Sequence, residues 1–216
     1  MTRDHVIVLP GGGYTRISDN ESTTIVAWLE SLGLSASYFA YPVNTRHPAV
    51  LDAVRGEIRR VRAAGVDRVA LVGFSAGGHA AGHAALAPGA APDERVDLVL
   101  LSYPVVSMML PTHQVSRETL LGPDATSAER AAASVDLLVG PDAPPFFVWH
   151  TAEDPVVPVQ HSYLLGMALA AAGVRHALHV FPAGRHGLNL ARLEGDGDAR
   201  QWTTLAEAWL REEGWV

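Results

Sequence analysis

The chain has 216 residues, 48% hydrophobic and 18% charged, with a net charge of −7 and a mean hydropathy of +0.12. A chain of this size can bury roughly 70% of its unfolded surface around one core, and its acidity argues against nucleic acid or an anionic membrane as partner. It has neither cysteine nor lysine, all 16 basic residues being arginine, which excludes disulfides, thiol nucleophiles, cysteine-ligated metals, Schiff bases and the phosphate-loop lysine.

In chain order, short apolar runs alternate with helical patterns, as in a parallel sheet wrapped by helices. Residues 5–9 read as the first strand, 22–32 as a helix, 35–41 as the second strand and 49–64 as a helix. Val50, Val54, Ile58 and Val61 give that helix one apolar stripe. Strands follow at 68–74, 96–101, 146–150 and 176–181, and helices at 75–87, 159–172 and 201–212. Gly33, Gly65 and Gly173 each follow a helical pattern, where a left-handed residue closes the last turn. Residues 103–145 break the rhythm. This proline-rich excursion lacks a convincing strand and reads as a lid or binding loop, with short helices at 117–121 and 127–133. No repeat or linker interrupts the chain, so one domain over 1–216 is expected. No apolar stretch reaches the roughly 18 residues of a membrane span. The first five residues lead straight into a strand rather than a signal-peptide core, so a cytoplasmic protein is expected.

The third strand ends in Gly73-Phe74-Ser75-Ala76-Gly77-Gly78-His79, which contains GxSxG. Following a buried strand and opening a helix, this pattern reads as a nucleophile elbow that lifts the Ser75 hydroxyl out at the helix N-terminus. A base and an orienting acid are required. The loop after the fifth strand supplies Glu153-Asp154-Pro155, and the loop after the sixth supplies Arg185-His186-Gly187. Ser75, Asp154 and His186 thus fall on the carboxyl edge of the sheet, where open parallel sheets place their sites. Asp142 precedes the fifth strand and falls at the opposite edge. Pro155 biases Asp154 toward extended dihedrals and stiffens its turn. The first strand runs into Pro10-Gly11-Gly12-Gly13-Tyr14, whose glycines free backbone amides to form an oxyanion hole with the amide of Ala76. No lysine follows and GxGxxG is not matched, which disfavours a phosphate loop.

PGGGY, GFSAGGH, WHTAEDPVVP and FPAGRHGLNLA resemble the acetyl xylan esterase group of α/β-hydrolases, which includes feruloyl esterase-like and other small-ester carbohydrate esterases. The resemblance runs from Val6 to about Trp209. It implies an α/β-hydrolase fold with about six mostly parallel strands in the order 2-1-3-4-5-6 and helices on both faces. It also implies Ser75 as nucleophile, His186 as base, Asp154 as acid, and Gly12 or Gly13 with Ala76 as oxyanion donors. Pro10 stands where many lipase-like relatives carry histidine. The expected reaction is cofactor-free hydrolysis of short acyl esters, especially O-acetyl sugars. Other small esters or peptides, or a silent binding module on the same scaffold, are the alternatives.

Other residues carry weaker signals. His79 and His83 stand four apart but lack the glutamate of HExxH, so packing or hydrogen bonding is expected rather than metal binding. His150 is expected to be a buried, hydrogen-bonded histidine. Met108, Met109 and Leu110 suit either the roof of an acyl pocket or gaps in the core. Trp28, Trp202 and Trp209 are expected in the core.

Overall fold

The computed structural model describes residues 3–193 and 196–216. Its elements run β1 (Asp4–Leu9), α1 (Thr23–Ser31), β2 (Ser35–Tyr38), α2 (Ala49–Ala63), β3 (Arg68–Phe74), α3 (Ala76–Leu86), β4 (Leu98–Ser102), α4 (Gln114–Leu121), α5 (Ser127–Ala132), β5 (Phe146–Thr151), α6 (Gln160–Ala171), β6 (His176–Phe181) and α7 (Trp202–Glu212). The strands form one sheet ordered β2-β1-β3-β4-β5-β6, and every pairing is parallel. This is the expected order, with the expected helices on both faces.

Alternation along each strand divides the apolar residues between two cores. Ile7, Leu9, Val69 and Leu71 face α2, α3 and α6, where Val54, Ile58, Ala80 and Leu165 are buried. Val6, Val8, Ala70, Val72 and Phe74 face α1 and α7, against Ile25, Leu29 and Trp202. The expected tryptophans lie in this second core. Trp202 stacks on Trp149 with centroids 5.1 Å apart and meets Trp28 edge-on at 5.0 Å. Gly33, Gly65 and Gly173 all have positive φ (88°, 90° and 69°), as the ends of α1, α2 and α6 require.

Several boundaries differ from expectation, each for a local reason. The second strand stops at Tyr38 rather than 41, because Tyr41 turns away and its hydroxyl donates to the Pro10 carbonyl at 2.6 Å. The fourth strand starts at Leu98 rather than 96. Asp97 there uses its side chain in place of a regular ladder bond, accepting from the Val69 amide and from Arg62. It runs on to Ser102, whose carbonyl accepts the Ser75 amide at 3.0 Å. Helix α4 begins at Gln114, three residues earlier than expected, since exposed Val115 gives its first turn no apolar stripe. Helix α3 begins at Ala76, leaving Ser75 outside the helix as its cap.

One close approach fixes the height of α3 above the sheet. A Cβ added at Gly77 would lie 2.1 Å from the Leu9 carbonyl oxygen and 2.3 Å from that of Pro10, both immovable backbone atoms. Gly140, by contrast, has open space around it and no positive φ. Gly77→Ala is therefore expected to lose at least about 3 kcal/mol of stability through overpacking, while Gly140→Ala stays within about 0.5 kcal/mol. Urea denaturation of both variants checks this, and equal midpoints would contradict the close approach.

Candidate active site

The elbow after β3 holds Ser75 at φ 53°, ψ −118°, a conformation that L residues rarely adopt. Its amide donates to Ser102 O, and its carbonyl accepts from Val105 N (3.1 Å) and His79 N (3.1 Å), so the strained residue is pinned from three sides. Its hydroxyl lies 2.8 Å from Nε2 of His186, which sits on the loop after β6. His186 Nδ1 lies 2.6 Å from Oδ2 of Asp154, on the loop after β5. A carboxylate only accepts, so the imidazole proton is on Nδ1 and Nε2 is free to accept the serine proton. The structure thus brings together the three residues that the sequence placed on separate loops.

Asp154 is held on every side. Its Oδ1 accepts from the amides of Val156 (2.8 Å) and Val157 (3.0 Å), and His150 Nε2 reaches Oδ2 at 3.2 Å. Burial alone would push its carboxyl up. The hydrogen bonds from His150 and His186, with the His186 charge and the Val157 amide, outweigh burial and hold it well below the usual carboxylate range. His150 is fully buried. Its Nε2 faces two acceptors, Asp154 and the Val157 carbonyl (3.0 Å), and so must donate, while Ser162 Oγ lies 2.8 Å from Nδ1. Glu153 is exposed, and Asp142 sits with Pro88 and Arg95 at the far edge of the sheet.

The glycine loop lies directly on the elbow. A Cβ at Gly11 would meet Ser75 Cβ and Phe74 O at 3.1 Å, and one at Gly12 would meet Arg16 O at 2.1 Å. Among the described residues, the amides of Gly12, Gly13 and Ala76 have no acceptor. The cleft they border has a volume of about 590 Å³ and is lined by Gly12, Gly13, Arg16, Glu21, Ser75, His113, Val115, Val156, Arg185 and His186, among others. The 103–145 excursion contributes only His113 and Val115 to it. Of the two readings offered for this run, Met108 fills the core, while Met109 and Leu110 are exposed and none of the three lines the cleft.

Two residues escaped the sequence reading. Glu21 is buried, accepting from the Gly11 amide (2.8 Å) and from the Tyr103 hydroxyl (2.6 Å). Tyr103 in turn accepts from the Asn189 amide at 3.0 Å, and its ring meets that of His186 edge-on at 5.0 Å. These two side chains tie the glycine loop to the His186 loop. Their only sequence signal is a carboxylate in a polar turn and an aromatic after a strand.

Buried neutral histidines brace the surrounding backbone. His79 accepts from the Tyr14 hydroxyl and donates to Ala133 O, both at 2.6 Å, and His83 reaches Ala132 O at 3.3 Å. His161 Nδ1 accepts from the amides of Val106 (2.9 Å) and Ser107 (3.1 Å), while its Nε2 donates to Pro111 O. Hydrogen bonds and packing hold both His79 and His83 in place. Burial pulls His79 down to about 3, and His83 and His161 to about 4, each helped by neighbouring histidines. The unfolded chain therefore binds protons that the folded chain refuses as pH falls from 6.5 toward 4. Stability should drop through that window by roughly 1.4 kcal/mol per pH unit for each such histidine. His161→Gln, which keeps an acceptor and a donor without titrating, should flatten the decline. Thermal melts at several pH values test this, and a Tm constant from neutral pH down to 4.5 would count against it.

Residues 3–169 match the BD-FAE family. The endo-1,4-beta-xylanase B of Butyrivibrio fibrisolvens is 34% identical over 214 residues, covering 90% of this chain. The chain spans only about a third (34%) of the length of that curated relative. Among solved structures, an acetyl ester-xyloside bifunctional hydrolase from Caldicellulosiruptor lactoaceticus superposes with a TM-score of 0.92 at 37% identity, covering 100% of this chain and 85% of that one. The carboxylesterase Cest-2923 from Lactobacillus plantarum WCFS1 gives 0.84 at 28% identity, covering 100% and 88%.

Proposed function

Because the chain belongs to the BD-FAE family and has the α/β-hydrolase fold, we propose that it hydrolyses short acyl esters, acetyl groups on sugars foremost, through a Ser75 acyl-enzyme. It is a carboxylic ester hydrolase. The observation that carries the mechanism is the continuous chain Ser75–His186–Asp154, at 2.8 and 2.6 Å, beside three backbone amides without acceptors.

In this reading His186 Nε2 takes the Ser75 proton as Oγ attacks the ester carbonyl. The negative charge that develops on the carbonyl oxygen is met by the Ala76 amide with that of Gly12 or Gly13, donors fixed before the reaction begins. His186 then gives its proton to the departing alcohol oxygen. Water, deprotonated by His186, attacks the acyl-enzyme and releases the acid. Asp154 holds the imidazole in one tautomer and stabilises its cation. No step needs a cofactor.

Sugar acetates are favoured by the neighbour named for acetyl ester-xyloside hydrolysis and the relative named as a xylanase. A small acyl group also suits the wall on the oxyanion side. His113 stands over Gly13, its Cε1 3.2 Å from where a Cβ would lie, and is fixed by Ser116 at 2.9 Å.

Ser75→Ala is expected to abolish turnover of p-nitrophenyl acetate with the melt unchanged. Asp154→Asn should lower kcat by at least about 10²-fold, toward the roughly 10⁴-fold loss of the triad template. Glu153→Gln and Asp142→Asn should each cost less than about tenfold, their side chains lying outside the site. Near-normal kcat in Asp154→Asn, with a large loss in either of the others, would overturn the assignment. Across p-nitrophenyl esters of increasing acyl length, kcat/KM should be highest at acetyl; a maximum at eight carbons or more would refute the short-acyl reading.

A further inference from the structure

Two arginines, Arg16 and Arg185, stand at the cleft, although the chain as a whole carries −7. Arg16 and Arg185 both line it, both are exposed, and neither forms an ion pair with a carboxylate among the described residues. Among the described residues, Arg185 hydrogen-bonds the carbonyl oxygens of His186 (3.2 Å) and Gly187 (3.0 Å). Those contacts anchor the guanidinium at the cleft with no carboxylate paired to it among the described residues. Glu21 is the one carboxylate among the described residues that lines the cleft; it is buried, with its two oxygens on the Gly11 amide and the Tyr103 hydroxyl, and the Asp154 side chain is fully buried.

Arg185 also lines a second cavity of about 280 Å³, which continues past Gly187 to Asn189 and Arg192. The two cavities share Asn20, Arg185 and Gly187. The groove therefore extends on the His186 side, the side from which the departing alcohol takes its proton. On the glycine-loop side, His113 stands over Gly13, and Arg16 packs against Gly12.

We propose that the alcohol half of the substrate carries an anionic group, of the kind borne by an acidic sugar, which Arg185 and Arg16 hold at the mouth of the cleft. This rests on the ester-hydrolase reading and names its substrate class. A planar guanidinium can bond both oxygens of a carboxylate at once, so the charge supplies orientation as well as attraction. The site being exposed, the attraction is screened by salt.

The test compares the O-acetyl ester of a methyl glucuronide with its uronamide, which has the same shape without the charge. A second pair compares the hemisuccinate and succinamate of one neutral alcohol, placing the charge on the acyl half instead. At low salt the uronate should exceed the uronamide in kcat/KM by about tenfold, falling toward equality at 1 M salt. Arg185→Gln should reduce the ratio to about twofold or less, with Arg16→Gln intermediate. Affinities of the same uncleaved pair for Ser75→Ala, by calorimetry, read the preference without turnover. A uronate-to-uronamide ratio near one in both measurements would overturn the proposal, as would a ratio unmoved in both arginine variants. Preference for the hemisuccinate alone would overturn the assignment to the alcohol half. Failure to hydrolyse either ester, with the uronate still bound preferentially, would overturn the hydrolase reading while supporting the anion site.

Discussion

The contact between the first turn of α3 and the end of β1 governs what stands above the sheet. At Gly77 the helix backbone comes so close to the Leu9 and Pro10 carbonyls that no side chain fits between them. That proximity sets Ser75 beside the glycine loop, since a Cβ on Gly11 would touch Ser75 itself. One packing contact thus places both the hydroxyl and the amides that flank it. The cost is local strain. Tyr14, Ser75, Tyr103, Asn189 and Ala191 all take positive φ, at on the order of 1–3 kcal/mol each for non-glycine residues. All five lie on loops at or near the carboxyl edge of the sheet, and the two cores beneath supply the rigidity that holds them there.

Hydrogen bonds between buried groups link these strained residues across long sequence distances. Glu21 and Tyr103 tie the glycine loop to the His186 loop, while Tyr14 and His79 tie the same loop to the end of α5. His79 and His161 each present one accepting and one donating nitrogen to fixed partners. Protonation would turn the acceptor into a donor facing another donor, so the network works only while these rings are neutral. Asp154 is the converse case, a buried carboxylate whose surrounding donors keep it charged. Burial disfavours charge at both kinds of site; the polarity of the fixed partners decides which group yields.

The parallel sheet was legible because strands buried on both faces read as continuous apolar runs, as in Val69–Val72 and Leu98–Leu101. Ser75, Asp154 and His186 were legible because short motifs at strand ends carry them, and topology separated Asp154 from Asp142. Glu21 was not legible. It lies in the polar run Ser18-Asp19-Asn20-Glu21, and its partners are 10 and 82 residues away, so no local pattern distinguishes it from a solvated turn. The Met108–Leu110 run stayed open between core and cleft for a related reason: Met108 is buried and the next two residues are exposed, and nothing local shows which side the cleft lies on. The start of the fourth strand shifted where a side chain stands in for a backbone acceptor, as Asp97 does for the Val69 amide.

The arginines divide by what they bond. Arg68 pairs with Asp4, Arg62 with Asp97 and Arg175 with Glu212 and Glu213, while Arg46 and Arg55 cap backbone carbonyls. These contacts fasten helices and loops to one another. Arg185 also bonds backbone carbonyls, but it and Arg16 line the cleft, with no carboxylate partner among the described residues. Exposed cations there gain little affinity, because solvent screens them and flexible side chains must be ordered to bind. Their larger effect is on discrimination and encounter, drawing an anionic substrate toward one mouth of a molecule whose net charge repels it elsewhere. An acidic surface with a cationic opening thus favours the orientation in which the ester carbonyl arrives between Ser75 and the glycine amides.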